Sequence, residues 1–189
     1  GFKDLVLECV STEAAEPYCV IGHGDSWFNN FLFHYNDRGV PKEISIIDWQ
    51  VARYGSPVLD LVYFIFICTD HAFRVKHFDE LINIYHRTMK EFLDAMKCDI
   101  VLQFPMTALL RQLKKFGKFG VITSILITPT IQSKSEDMID MDVMSEKMQN
   151  GEMNPAMQEQ LMKMFGEHQA LSNDKVRDLI LDAIQYGYL

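Results

Sequence analysis

Residues 20–34 read VIGHGDSWFNNFLFH, and residues 44–50 read ISIIDWQ. An apolar approach opens onto a Gly-flanked His23, then Asp25, Asn29 and Asn30, then a second apolar run. Between the two stretches lies NDRG, Asn36 to Gly39, rich in residues that tolerate tight backbone angles. FLFHY, the turn and VPKEISIID therefore read as strand, turn, strand. One polar cluster precedes the first strand and another follows the second. In an antiparallel pair the start of one strand lies beside the end of its partner, so the spacing predicts that the two clusters are neighbours in space.

The residue types suit phosphoryl transfer. Mg²⁺ prefers oxygen ligands and takes one or two from protein, filling its shell with water and phosphate oxygens. Asn30 and Asp48 offer two such oxygens, and Asp25, on the same loop as Asn30, is placed to accept a proton from an attacking hydroxyl. Read singly, Asp25 and Asn30 are turn residues bonding their own backbone, and Asp48 a strand-end cap. The whole arrangement, His23-x-Asp25-x4-Asn30, hairpin, Asp48-Trp49-Gln50, is what gives the pattern weight.

Bulk properties narrow the field. The chain has 189 residues, enough for one domain over 1–189 with a substantial core. The 48% apolar and 23% charged residues are an ordinary globular balance. A net charge of −8 argues against nucleic acid as a partner, which needs a basic face, and against an anionic membrane surface. The apolar run LDLVYFIFIC is too short to span a bilayer and holds Asp60. Cys9, Cys19, Cys68 and Cys98 form no CxxC pair and read as reduced thiols, as expected of a cytoplasmic chain. Gly22-x-Gly24 lacks the third glycine of a dinucleotide fingerprint, and no GxxxxGK[ST] is present.

The remainder reads as helical. In 73–97, Phe78, Leu81, Ile82, Tyr85, Met89, Phe92, Leu93 and Met96 recur at helical spacing and predict one buried face. Residues 104–118 predict a further helix, VITSILITPTI an apolar run broken by Pro129, and 174–186 a helix capped by Asn173 or Asp174. On that last helix Val176, Leu179, Ile180 and Ile184 make the apolar stripe. In 133–154 Met138, Met141, Met144 and Met148 fall at helical spacing in an acidic context and read as core gap-fillers. Pro17 ends any helix near the start, and residues 1–10 read as the end of a helix.

HGDSWFNN followed by IIDWQVARYGSPVLDLVYF resembles the choline-kinase and aminoglycoside-phosphotransferase superfamily, and within it the ecdysteroid kinase-like (CHK kinase-like) group. LKKFGKFGVITSILITPTIQS, 113–133, resembles the same group. The resemblance implies an α+β, mainly helical fold: the C-terminal lobe of a protein-kinase-like fold, with a small β-hairpin carrying the catalytic site. It implies an ATP- and Mg²⁺-dependent kinase acting on a small-molecule alcohol, an ecdysteroid among the candidates. Asp25 would be the catalytic base, Asn30 and Asp48 the metal ligands, His23 the residue that shapes the loop, and Asp60 an acceptor of loop backbone N–H groups. Trp27 is a candidate for the substrate pocket, with core packing the alternative. The nucleotide-binding lobe precedes the catalytic loop in such kinases, and the space before His23 is too short for it. The chain is therefore expected to be one lobe, inactive alone, with the N-terminal lobe its contact in cis. Two other readings stand beside this one: a non-catalytic kinase-like binding or regulatory module, and a metal-dependent hydrolase using His23, Asp25, His34 and Asp48.

Overall fold

The computed structural model describes residues 8–132 and 169–188. Its centre is helix α2, Val58–Cys68, reached through a chain of short elements: α1 (Thr12–Ala15), β1 (Val20–Gly22), a 3₁₀ turn (Phe28–Asn30), β2 (Phe31–Tyr35), β3 (Pro41–Ile46) and β4 (Arg53–Gly55). Among the described residues five further helices follow: α3 (His71–Ala95), α4 (Ile100–Gln103), α5 (Met106–Phe116), α6 (Lys118–Gln132) and α7 (Gln169–Gln185). The described chain is α+β and mostly helical.

α2 is apolar apart from Asp60 and covered over most of its surface, with Phe64 left exposed. Val58, Leu59, Val62, Tyr63, Ile65, Phe66 and Ile67 are all buried. Its main neighbour is α6, which also carries α7. Gly120 permits that contact: a Cβ there would stand 2.7 Å from the Val62 carbonyl oxygen. α5 buries Ala108, Leu109, Gln112, Leu113 and Phe116 at helical spacing and closes the core from another side. Gln112 links three segments, donating Nε2 to the Ala15 carbonyl at 3.0 Å and accepting from Ser56 Oγ at 2.5 Å.

Two small antiparallel sheets stand at the edge of the helices. β2 pairs with β3 so that Phe31 faces Ile46 and His34 faces Glu43, with an irregularity at Tyr35. The Asn36 side chain closes the turn by accepting from the Arg38 and Val40 amides at 3.0 and 2.9 Å. β1 pairs with β4, Ile21 opposite Tyr54. The hairpin is the predicted one; the β1–β4 pair is not foreseen in the sequence.

Four expectations shift. The long helix forms with Phe78 and Ile82 buried and Leu81, Tyr85 and Met89 packed against the core, while Phe92 and Met96 are exposed: α3 outruns the core at its C-terminal end. α6 continues through Pro129 to Gln132, held by packing on α2 and α7 despite the missing N–H. α7 begins at Gln169, so Asn173 and Asp174 are not its cap; Asp174 instead pairs with Arg177 at 2.8 Å. The buried face of α7 is Leu179, Asp182 and Ala183, and Ile180 and Ile184 point outward. A carboxylate sets that face: Asp182 is drawn inward by the buried Arg74, rotating the helix away from its most apolar stripe. Residues 1–7 and the methionines of 133–154 lie outside the described residues. All four cysteines are free thiols, Cys9 buried and the others partly so.

Candidate active site

The loop from His23 to Asn30 hangs from α2 by one carboxylate. Asp60, in the first turn of α2, accepts the His23 amide on Oδ2 at 2.6 Å and the Gly24 amide on Oδ1 at 2.8 Å. Ser26 Oγ donates to the Asp60 carbonyl at 3.0 Å. Two consecutive amides on one carboxylate fix the peptide orientation, and charge-assisted bonds of this kind are the strong ones. Gly24 is required at the bend. Its φ is +87°, and a Cβ there would meet the Val51 carbonyl oxygen at 2.3 Å.

His23 ties the loop to the end of the hairpin. Its Nδ1 lies 3.2 Å from the Asp25 amide and so accepts; the proton is then on Nε2, which donates to the Ile47 carbonyl at 2.8 Å. The Ile47 amide donates to the Asn30 carbonyl at 3.0 Å. Ile47 is thus bonded to both ends of the loop, and Asp48 follows it directly. Asp48 is exposed and has a φ of +64°, a left-handed backbone that an Asp tolerates better than most residues.

Asn30 is buried, and its amide nitrogen donates to the Asp25 carbonyl at 2.8 Å and to Asp25 Oδ2 at 3.0 Å. Both partners are pure acceptors, which fixes the amide orientation: nitrogen toward Asp25, Oδ1 away from it. The other oxygen of Asp25, Oδ1, accepts from the Tyr63 hydroxyl at 2.5 Å. Burial, and then the bond to Asp25, push the Tyr63 phenol strongly upward, so the phenol is the donor of that pair.

His23, Asp25, Asn30 and Asp60 therefore form one hydrogen-bonded network, and Asp48 adjoins it through Ile47. Trp27 is partly buried against the helical core, its ring edge-on to Phe28 at 5.2 Å. Trp49 packs its ring on His23 at 4.7 Å and donates Nε1 to the Ile46 carbonyl at 3.1 Å. His34 lies out on the hairpin, 3.8 Å from Glu43 and exposed to solvent. Arg53 braces the loop from β4, its guanidinium 3.5 Å from the Gly24 carbonyl and over the Phe119 ring. Ser26 and Tyr63 are the contributors that sequence reasoning missed. Tyr63 had a signal, since it follows Asp60 by three residues and shares its helix face.

Among the described residues no three His, Cys, Asp or Glu side chains converge as a metal cage. Mg²⁺ needs no such cage. An amide oxygen from Asn30 and a carboxylate from Asp48, left open to water and phosphate, are the sparse oxygen donors it takes. They fit a hard cation and do not fit the soft or imidazole-rich set of a zinc hydrolase.

Among the described residues no helix is long and apolar enough to cross a membrane. Comparison with curated proteins and with solved structures gives no match. The family model described as "Ecdysteroid kinase-like family" matches residues 1–98, a span that includes the whole loop, the hairpin, α2 and α3. With more than half of its 189 residues matched and this network inside the match, the chain belongs to the ecdysteroid kinase-like family.

Proposed function

We propose that this chain carries the catalytic loop of an ATP- and Mg²⁺-dependent phosphotransferase that acts on the hydroxyl of a small molecule, an ecdysteroid or another alcohol. Family membership supports kinase-like chemistry in general. The observation that carries the reading further is the state of Asp25 and Asn30. Asn30 turns its nitrogen to Asp25, 3.0 Å from Oδ2, and so leaves its oxygen for a cation beside the carboxylate.

In this reading Asp25 accepts the proton of the acceptor hydroxyl as its oxygen bonds to the terminal phosphorus and the phosphoanhydride bond breaks, releasing ADP. General-base help of that kind is worth about 10²–10⁴-fold. Asn30 and Asp48 would hold Mg²⁺, which supplies charge neutralisation on the phosphate oxygens when bound. His23 and Asp60 keep the loop in shape, and most of the rate comes from that fixed geometry. Residues 1–189 then carry the catalytic loop of a cytoplasmic enzyme. Trp27 flanks the site from the loop.

The test is phosphate transfer from MgATP to a panel of sterol and other small alcohols by the full-length protein, with Asp25→Asn beside it. Transfer that disappears in the folded variant supports the reading. Equal turnover in both removes Asp25 from its role. Nucleotide and alcohol binding with no transfer in either would favour the binding-module reading.

A further inference from the structure

We infer that Tyr63 is a positioning residue for Asp25, its hydroxyl fixing the plane of the carboxylate that the proposed chemistry needs. The inference rests on the phosphotransferase reading and adds to it a residue on another element.

Asp25 is on a loop, and the torsion that turns its carboxylate is a soft one. A single hydrogen bond would leave it free to swing. Two donors from different elements hold it: Asn30 Nδ2 on Oδ2 at 3.0 Å, and Tyr63 Oη on Oδ1 at 2.5 Å. The first comes from the loop itself, while the second comes from α2, the most buried helix of the described structure. Asp60 and Tyr63 are one turn apart on that helix, so a single rigid element grips the loop backbone at His23 and Gly24 and orients the loop's carboxylate.

Packing alone does not explain the hydroxyl. Tyr63 is 5% exposed, with its ring near Phe119, and α2 carries Phe64 and Phe66 beside it. A phenylalanine would fill that space and avoid the cost of burying a hydroxyl. The one hydrogen bond that hydroxyl makes among the described residues is to Asp25. Each Asp25 oxygen has a second lone pair, so both bonds leave the carboxylate able to accept a proton.

The experiment compares full-length wild type, Tyr63→Phe, Asp25→Asn and the double variant in phosphate transfer from ATP. Tyr63→Phe should lower kcat about 10- to 100-fold, the scale of a misplaced reacting group, with KM for ATP and alcohol within about twofold. In the Asp25→Asn background the same change should cost nothing further, because Tyr63 acts through Asp25. A Tyr63→Phe enzyme with wild-type kcat overturns the inference and leaves the phosphotransferase reading standing. An Asp25→Asn enzyme with wild-type kcat overturns the reading and the inference together. Carbon-13 NMR of Tyr-Cζ-labelled protein decides the matter even where Tyr63→Phe does not fold: the Tyr63 resonance should move in Asp25→Asn, and an unmoved resonance means the bond is absent.

Discussion

Arg74 and Asp182, 108 residues apart in sequence, are joined inside the helical core by a 2.7 Å bond from Nε to Oδ2, with neither side chain reaching solvent. The pair is not isolated. Arg74 also donates Nη1 to the Thr69 carbonyl and lies over the Phe66 ring, and His71 Nδ1 is 2.7 Å from Asp182 Oδ1. It fastens α7 to the start of α3. Removing one partner strands the other charge in the core. Arg74→Ala should destabilise the fold by about 3–5 kcal/mol, whereas Arg74→Met with Asp182→Leu should cost far less. Denaturant unfolding of the two variants checks the contrast.

Asp60→Asn should loosen the loop without unfolding the helices. The substitution keeps the shape of the side chain but turns an NH₂ toward one of the two amides now bonded to a carboxylate oxygen. The loss should be about 1.5–3 kcal/mol. Hydrogen exchange at the His23 and Gly24 amides should accelerate while that of α2 keeps its protection, and phosphate transfer should fall by at least an order of magnitude.

Gly24→Ala should displace the loop. The new Cβ would sit 2.3 Å from a backbone oxygen, at a φ of +87° that alanine disfavours. A cost above about 1 kcal/mol is expected, with loss of transfer activity. Gly39→Ala is the control: φ is also positive there, at +71°, but nothing lies within 4 Å, so backbone strain alone is introduced. Thermal unfolding and turnover of the two variants separate strain from collision.

Alkali should unfold the protein earlier than its surface charge alone suggests. Burial pushes the Tyr85 and Tyr186 phenols up to about 12, and those of Tyr63 and Tyr188 further in the same direction, from an ordinary value of 10.0. Below pH 10 both folded and unfolded chains hold these protons. Above it the unfolded chain releases them and the folded chain does not, so stability present at neutral pH is lost as pH rises from about 10 toward 12. Tyrosinate absorbance at pH 11 should be lower for the folded protein than for the chain in denaturant, and the denaturant midpoint should drop between pH 9 and 11.

The sequence was readable where a signal was local. The β2–β3 hairpin is announced by two apolar runs around Asn36–Gly39, and its register alone brings the neighbours of Asn30 and Asp48 together. Asp25 and Asn30 are recognisable from motif and spacing, and Asp60 from the resemblance; the structure bonds Asn30 to Asp25, and Asp60 to the His23 and Gly24 amides of the same loop. What escaped depends on partners distant in sequence. β1 and β4 are three residues each and pair across the whole hairpin, so neither has a pattern of its own. Periodicity found α3 but could not tell that its C-terminal end, with Phe92, runs past the core. On α7 the apolar stripe pointed to Ile180 and Ile184, and a buried ion pair moved the core face to Asp182. Tyr63 reads as one more aromatic in an apolar helix until its hydroxyl is seen against Asp25.

The β2–β3 hairpin leaves the residues of its two strands exposed, apart from a half-covered Phe31 that touches Phe64. It is a cantilever, clamped at the Ile47–Asn30 end and free along its length. The cooperative melting of the molecule therefore belongs to the helices, and a protein with an intact melting curve can still have lost the register that delivers Asp48. Quality control by thermal shift alone would pass such a protein; amide protection at Ile47 would not.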